Sequence, residues 1–423
     1  IFLVSIIPQL PNHLSKLAES SPLEFSATIP DHQEFVQQAA VSILEDKSGI
    51  TTEETENMLV QHSDQVPLAL HLGAKLARSR QVITELSQPI HVDVIFAAYK
   101  ENNRILRPEE HPSGEDFLRR KVAQLNWLGE ASEHFHWHMT AVDDGCPEKC
   151  GDIIENLARE EGYDEVSVLR LSDAIERKLP VAAGLSSTDD SRKGGSILYG
   201  MWNASNKNPE GDHVIVFTDA DLSTHLGQVG LLVDPIINQG KDVAIGSRRE
   251  ANSIVVKQGT RNVRGKLFIY LWKRMLSPAL SGVVDTQCGF KGFRASKVKA
   301  VVEDCLEYGF AFDVELLLKS ELQNSRGIAK SAIAWIDSEA ESTTTALSPY
   351  LNMLKSIAAM SRKYLPTQDS GNEFAQLVES LDEENWNCLV DRTPSEIANG
   401  DPLTFESFSG VSSDDLRALL PEK

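Results

Sequence analysis

The spacing of apolar residues along the chain predicts three regions with different secondary structure. Before residue 90, apolar residues recur every three or four positions, which predicts helices over 35–44 and 68–86. From residue 91 onward, short runs rich in β-branched residues alternate with amphipathic stretches. After about residue 346 the helical spacing returns, most clearly over 351–364. The middle region is predicted to contain strands at 91–98, 137–142, 166–171, 213–217 and 243–245, with helices between them at 115–133, 153–161 and 194–204.

The alternation of strands and helices in the middle region predicts an α/β fold. Its sheet would be mainly parallel with helices on both faces, and helical extensions would precede and follow it. The corresponding boundaries are an N-terminal helical region over 1–90, an α/β domain over 91–345 and a C-terminal helical extension over 346–423. Ligands of such sheets bind at the carboxyl ends of the strands. Polar side chains that follow a predicted strand are therefore the candidates for a functional site.

Two pairs of carboxylates follow predicted strands. Asp219 and Asp221 come just after the fourth predicted strand, and Asp143 and Asp144 come at the end of the second. Taken alone, the triplet Asp-Ala-Asp is more often a solvated turn or a helix cap than a metal site. A second acidic strand end at the same edge of the sheet favours the metal site, because Mg²⁺ or Mn²⁺ is bound by a few carboxylates together with phosphate oxygens.

Composition and charge narrow the classes of function. The chain has 423 residues, of which 41% are hydrophobic, so it is long enough to bury a substantial core. Its formal net charge of −21 excludes general nucleic-acid binding, which depends on a cationic surface. The 5 cysteines are few and odd in number, which favours a reducing compartment over a disulfide framework. No apolar run is long enough to span a bilayer. Together these features predict a cytoplasmic protein, which would be peripheral to a membrane if its substrate is a lipid. The helical extensions carry no catalytic motif. Their amphipathic pattern is compatible with a homo-oligomer interface, with a docking surface for a partner or with a lid, and it does not distinguish among these roles.

Seven short segments resemble those of family-2 glycosyltransferases and occur in the same order. In one-letter code they are VIFAAYKENNRI at 94–105, AVDDGC at 141–146, RKGG at 192–195, TDAD at 218–221, VAIGSR at 243–248, DTQCGFKGFR at 285–294 and FAFDVEL at 310–316. The last two are most similar to segments of the dolichyl-phosphate glucosyltransferases, which use a polyprenyl phosphate as acceptor. The resemblance covers 91–345 and implies a GT-A-type fold, a mainly parallel sheet flanked by helices.

The resemblance also implies roles for particular residues. Asp143 would accept a hydrogen bond from the nucleotide base, which is expected to be uracil, and Asp219 and Asp221 would hold Mg²⁺ or Mn²⁺. Asp285 and Asp313 are two carboxylates that could take a proton from an acceptor hydroxyl, and the residues themselves do not choose between them. The full set of residues expected to bind the nucleotide-sugar donor is Ala98, Tyr99, Glu101, Asp143, Lys193, Asp219, Arg248 and either Arg261 or Arg264.

Three functions are compatible with these residues. The first is a metal-dependent, inverting glycosyltransferase that moves a sugar from a nucleoside-diphosphate sugar, expected to be a UDP-sugar, to a soluble or peripheral acceptor. The second is the same enzyme with a polyprenyl phosphate acceptor, in which case the amphipathic helix over 351–364, with its basic end, would lie on the membrane. The third is a nucleotidyltransferase or a non-catalytic sugar-nucleotide binder. A nucleotidyltransferase would carry a Gly-rich basic segment near the first strand, where this chain has AAYKE at 97–101.

Overall fold

Helices form most of the described chain before the first strand. The computed structural model describes residues 10–256, 262–337, 348–366, 369–405, 408 and 410–421. The N-terminal helices are α1 (Asn12–Ser20), α2 (Pro30–Leu44), α3 (Thr52–Gln61) and α4 (Leu68–Thr84). Pro30 suits the start of α2, because the first N–H groups of a helix have no partner within it. The two helices predicted in this region are confirmed as parts of α2 and α4.

Strands and helices alternate after residue 90, as predicted. The first half of this region contains β1 (Ile90–Ala98), α5 (Phe117–Gly129), β2 (Phe135–Asp143), α6 (Cys150–Glu161), β3 (Val166–Arg170), α7 (Leu171–Glu176), α8 (Gly194–Ser205), β4 (Asp212–Thr218), α9 (Gly230–Ile237) and β5 (Val243–Ser247). The second half contains β6 (Ile254–Val256), α10 (Asn262–Leu276), β7 (Phe290–Arg294), α11 (Ala295–Val302), α12 (Phe312–Gln323), β8 (Ile328–Ala332) and β9 (Ala334–Ile336). The predicted strands all fall on strands of the structure, within a few residues at each end.

Helices return after β9. They are α13 (Ser348–Tyr364), α14 (Asp369–Ser380), α15 (Glu383–Asp391), α16 (Ser395–Ala398) and α17 (Ser413–Arg417). The helix predicted over 351–364 is confirmed as α13.

The central sheet is mainly parallel, which confirms the predicted fold class. Its strand order is β3-β2-β1-β4-β7-β5-β8, and β7 is antiparallel to both of its neighbours. Ala98 at the end of β1 pairs with Asp143 at the end of β2, and Ile95 pairs with Phe217 near the end of β4. The carboxyl ends of these three strands therefore share one edge. β1 and β4 are neighbours at the point where the strand order reverses, which is where such sheets bind ligands.

The two faces of the sheet are covered by different flanking helices. Successive side chains of a strand point to opposite faces. On one face, Val94 and Val216 belong to a core shared with Leu72 of α4. On the other face, Phe217 belongs to a core shared with Leu354 of α13. Each helical extension is thus packed into a core of the central sheet.

The packing of α13 contradicts one expectation. Its aliphatic side chains Leu351, Leu354 and Ile357 are buried against the protein and have exposed fractions of at most 3%. Tyr350 packs edge-on against Phe268 of α10. The expectation that this apolar face lies on a membrane is therefore wrong, because the protein core already covers it. Within the described residues, no helix is both long and apolar enough to cross a membrane.

Candidate active site

The loop after β4 carries the two aspartates of the Asp-Ala-Asp triplet. It places them beside β1, at the point where the strand order of the sheet reverses, which we call the switch point. The Nζ atom of Lys193 forms an ion pair with Oδ1 of Asp219. Asp221 Oδ1 accepts hydrogen bonds from the N–H (3.0 Å) and the Oγ (2.6 Å) of Ser223, which shape the turn. Gly289 lies against Asp219 so closely that an added Cβ atom would overlap with its carboxylate. The position of Asp219 is thus set from two sides.

Lys193 precedes α8 in a conformation that is unusual for lysine. Its φ angle is +79°, in a region that L-residues other than glycine rarely adopt. The carboxylate of Asp144 accepts its N–H (2.9 Å) and is itself bound by the Oγ of Ser196 (2.7 Å), which holds the backbone there. Burial acts to lower the pKa of Lys193, but the charge and hydrogen bond of Asp219, together with the charges of Asp313 and Asp221, outweigh it and the pKa is raised. The lysine therefore stays a cation beside Asp219.

The residues expected at the nucleotide base lie at the ends of β1 and β2. Ala98 is buried and Tyr99 is 43% exposed. Both carboxylate oxygens of Asp143 accept backbone hydrogen bonds, from the N–H groups of Cys146 (2.8 Å) and Gly151 (2.8 Å). These bonds fix the turn between β2 and α6. The contact of Asp143 with a base stays a prediction.

Glu101 belongs to a chain of charges that joins the loop after β1 to the loop after β4. Arg104 Nη1 lies 2.8 Å from Glu101 Oε2, and Arg104 Nε lies 3.2 Å from Glu115 Oε1. Glu115 Oε2 accepts the N–H of Leu222 (3.2 Å), next to Asp221. Burial raises the pKa of Glu101 to about 7, with Arg104 opposing the shift and Asp221 adding to it.

Arg248, just after β5, is paired with Asp285. Its Nε and Nη2 atoms lie 2.8 Å and 2.7 Å from the two oxygens of Asp285, and its backbone N–H donates a further bond of 2.8 Å. The guanidinium also lies 5.2 Å from the ring centroid of Trp335. Burial acts to raise the pKa of Asp285, but the charge and hydrogen bonds of Arg248, together with the charge of Lys291, outweigh it and hold this pKa at about 2. Two residues that were predicted separately thus form one unit.

Asp313, in the first turn of α12, is held by two side chains from the segment that contains β7. Gln287 Nε2 donates to its Oδ1 (2.7 Å), and Lys291 Nζ lies 3.1 Å from its Oδ2. Burial raises the pKa of Asp313, and the charge of Lys291 opposes the shift. Unlike Asp285, this carboxylate has an increased affinity for a proton.

Most of the predicted site residues form one electrostatic neighbourhood. The charges of Asp219, Asp313 and Asp221 act together on Lys193, and the charge of Asp219 also acts on Arg248. Arg264 lies on α10 with its guanidinium 6.0 Å from the ring centroid of Tyr350, and its contact with the donor stays a prediction. Arg261, the alternative to Arg264, lies outside the described residues.

The carboxylates after β4 fit a divalent cation whose coordination is completed by a ligand. Asp221 Oδ2 accepts no hydrogen bond from the described part of the chain, so it is available to a cation, and Asp219 lies one residue away. Among the described residues no group of three or more His, Cys, Asp or Glu side chains could enclose a metal by itself. Two carboxylates suit a cation such as Mg²⁺ that also takes phosphate oxygens and water.

Comparisons with known proteins show relatives among the glycosyltransferases. No family model matches the chain. The chain is 25% identical over 268 residues to a dolichyl-phosphate beta-glucosyltransferase of Drosophila melanogaster, which covers 62% of the chain and 71% of that protein. It is 24% identical over 250 residues to the glycosyltransferase AglD of Haloferax volcanii, which covers 58% of the chain and 33% of that protein. The resemblance predicted from the sequence is confirmed. These relatives support an enzyme of the family-2 glycosyltransferase type.

A similar solved structure is that of glucosyl-3-phosphoglycerate synthase from Mycobacterium tuberculosis, in complex with Mn²⁺, UDP and glucosyl-3-phosphoglycerate. Its TM-score is 0.45 at 15% identity, and the match covers 70% of this chain and 85% of that one.

Several residues of this glycosyltransferase site were not predicted from its sequence. Asp144 and Glu115 hold Lys193 and Leu222, and Gln287 contacts Asp313. Asp144 had a signal, because it stands beside Asp143 at a strand end. Glu115 had none, because it is separated from the β4 loop by more than 100 residues and only the fold brings the two together.

Proposed function

We propose that the chain is a metal-dependent, inverting glycosyltransferase that moves a sugar from a UDP-sugar to a soluble or peripheral acceptor. The observation that carries the proposal is the loop after β4, where Asp219 and Asp221 stand at the switch point and Lys193 pairs with Asp219. This loop occurs in a chain that is related by sequence to glycosyltransferases. Carboxylates and a lysine at this edge suit a divalent cation and a diphosphate.

The charged side chains at the site suit a departing nucleoside diphosphate. Asp219 and Asp221 would hold Mg²⁺ or Mn²⁺, which when bound neutralises negative charge on the diphosphate. Lys193 adds a fixed positive charge beside them. The Nη1 atom of Arg248 is not part of the pair with Asp285, so it is a donor for a phosphate oxygen.

Asp313 is better suited than Asp285 to take a proton from an acceptor hydroxyl. The pair with Arg248 holds the pKa of Asp285 at about 2, which makes Asp285 a weak base. The pKa of Asp313 is raised, and Gln287 and Lys291 hold its carboxylate in one orientation. The acceptor oxygen would attack the anomeric carbon opposite the diphosphate while Asp313 takes its proton.

A polyprenyl phosphate acceptor is the second candidate, favoured by the names of the relatives. Several of them are dolichyl-phosphate beta-glucosyltransferases. A phosphate acceptor is already anionic and needs no strong base. The raised pKa of Asp313 favours the hydroxyl acceptor instead, because a base is useful there.

The experiment compares the wild type with Asp221→Asn, using labelled UDP-glucose or GDP-mannose with either polyprenyl phosphate or a cell extract. We expect the variant to lose sugar transfer and Mn²⁺-dependent nucleotide binding while its melting temperature changes little. Asp414→Asn is the matched control, because this carboxylate of α17 is 87% exposed and pairs with Arg417 of the same helix. Unchanged turnover in Asp221→Asn would contradict the metal assignment. Product in the organic phase would support the lipid acceptor, and product in the aqueous phase the soluble one.

A further inference from the structure

Lys121 of α5 is fully buried, and nothing in the described part of the chain binds its charge directly. Its exposed fraction is 0%, and its Nζ atom makes no hydrogen bond with any described residue. Burying an ammonium group without a partner is costly. A methionine of similar length would fill the same space without that cost, so a functional reason for the charge is expected.

Lys121 lies on the face of α5 that packs against the loop after β4. That loop is fastened on either side of it: Glu115 accepts the N–H of Leu222 (3.2 Å), and Gln124 accepts the N–H of Leu226 (2.8 Å). Residues three apart lie on the same face of a helix, so Lys121 and Gln124 face this loop together.

The charges around Lys121 are mainly negative. The carboxylates that act on it are those of Asp221, Asp219, Glu115 and Glu101, in decreasing order of effect. Its buried neighbour His225 is neutral: Nδ1 of this ring accepts the N–H of Gly227 (3.0 Å), and burial, with the charge of Lys121, lowers its pKa to about 3. Burial lowers the pKa of Lys121, and the charges of these carboxylates oppose that shift. In its protonated form Lys121 is a buried cation behind a group of carboxylates that includes both proposed metal ligands.

We infer that Lys121 is a positioning residue of the donor site, a buried counter-charge that offsets the crowded carboxylates and so allows an anionic diphosphate to bind beside them. The inference rests on the proposed function and deepens it, because Lys121 is buried beneath the loop and touches neither ligand. A positive charge at this place attracts the diphosphate and repels the metal ion. Its removal should consequently change the two affinities in opposite directions.

The test is Lys121→Met, with two ligands measured separately at pH 8. UDP binding at saturating Mn²⁺ is measured by calorimetry, and binding of Mn²⁺ alone by electron paramagnetic resonance. We expect UDP to bind about tenfold more weakly and Mn²⁺ severalfold more tightly, as the loss of one nearby positive charge requires. The melting temperature should stay the same or rise, because a buried unpaired charge has been removed. Lys121→Arg keeps the charge and should keep both affinities within about threefold of the wild type.

Lys75→Met is the matched control, because Lys75 is also a buried lysine but lies on α4 in an ion pair with Glu56. It should lower stability, since Glu56 loses its partner, and leave both affinities unchanged. Weaker binding of both ligands by Lys121→Met, with a lower melting temperature, would indicate a structural role and overturn the inference. Unchanged binding of both ligands would overturn it too. A wild type that binds neither Mn²⁺ nor UDP would instead contradict the proposed function itself, and the inference with it.

Discussion

At the scale of single residues, the charged groups of the candidate site are held by partners that are distant in the sequence. Asp144 fixes the backbone of Lys193, and Gln287 and Lys291 orient Asp313. Because both Lys193 and Asp313 are held on the protein side, little reorganisation is needed when a ligand arrives. Substitutions that displace these groups by a fraction of an ångström should therefore affect activity more than stability.

Gly289→Ala tests this expectation directly. The new methyl group would overlap with the carboxylate of Asp219 and must push it away from Lys193. We expect sugar transfer to fall by about 100-fold, since displacement of a catalytic group by about 1 Å costs that much, while the melting temperature changes by only a few degrees. Gly265→Ala on α10 is the control, because nothing lies within 4 Å of its added methyl group. Full activity in Gly289→Ala would show that the position of Asp219 does not matter for transfer.

The pair of Arg248 and Asp285 makes stability depend on acidic pH. The pKa of Asp285 is about 2 in the folded protein, against roughly 3.9 for an unfolded aspartate. A depressed folded pKa contributes stability that is present above about pH 4 and is lost as the pH falls toward 2. The contribution amounts to roughly 2 kcal/mol.

Urea unfolding of the wild type and Asp285→Asn at pH 6 and pH 3 measures this contribution. The difference in the free energy of unfolding between the two proteins should be smaller at pH 3. At that pH the carboxylate is mostly protonated in the unfolded chain but still mostly ionised in the folded protein, so folding must release a proton and part of the stabilisation is lost. An equal difference at both pH values would show that the pair contributes no pH-dependent stability.

At the scale of secondary structure, elements with a strong periodic pattern were predictable and short buried ones were not. The predicted parallel strands are confirmed: the β-branched runs of β1, β2, β4 and β5 are largely buried in the sheet, and the edge strand β3 is half-buried. β7 was not predicted as a strand: its five residues contain Lys291 and Gly292, which are unusual in a central strand. It is inserted antiparallel between β4 and β5, where Lys291 can reach Asp313. Strand pairing of this kind is decided by distant segments, which no local pattern reveals.

The amphipathic pattern of α13 was correctly predicted, but its environment was not. An apolar stripe indicates that one face of a helix is buried away from water, and either a membrane or a protein core can bury it. In the structure α10 and α14 supply the core, with Leu354 and Ile357 fully buried. The proposal of a lipid acceptor therefore needs a membrane contact other than this face.

At the scale of the whole molecule, both helical extensions are part of the hydrophobic cores around the sheet. The core on one face includes Leu72 and Leu76 of α4, and the core on the other includes Leu354 of α13 and Trp386 of α15. The predicted boundaries near residues 90 and 346 thus mark changes in the sequence pattern. The segments on the two sides of each boundary contribute to the same hydrophobic core. We infer that the chain unfolds as a unit.

Ending the chain at residue 345 tests this inference. The truncated chain would expose the face of α10 that packs against α13 and α14, including the buried Tyr270, whose ring packs edge-on against Phe374 of α14. We expect it to lose cooperative thermal unfolding, measured by circular dichroism, and to aggregate because of the exposed apolar surface. A soluble 1–345 chain with the melting temperature of the full chain would show that the C-terminal helices are independent of the sheet.

The amino-acid sequence by itself determined the mainly parallel α/β sheet, the strand ends that carry the candidate site and the relationship to glycosyltransferases. These depend on local periodicity and on short ordered motifs, which can be read along the chain. Only the tertiary structure decided that Arg248 and Asp285 neutralise each other, that α13 is covered by protein and that Lys121 lies behind the carboxylates. The physical reason is that burial and charge neighbourhood are set by segments far apart in sequence, and these two quantities determine which side chains can bind a ligand or take a proton.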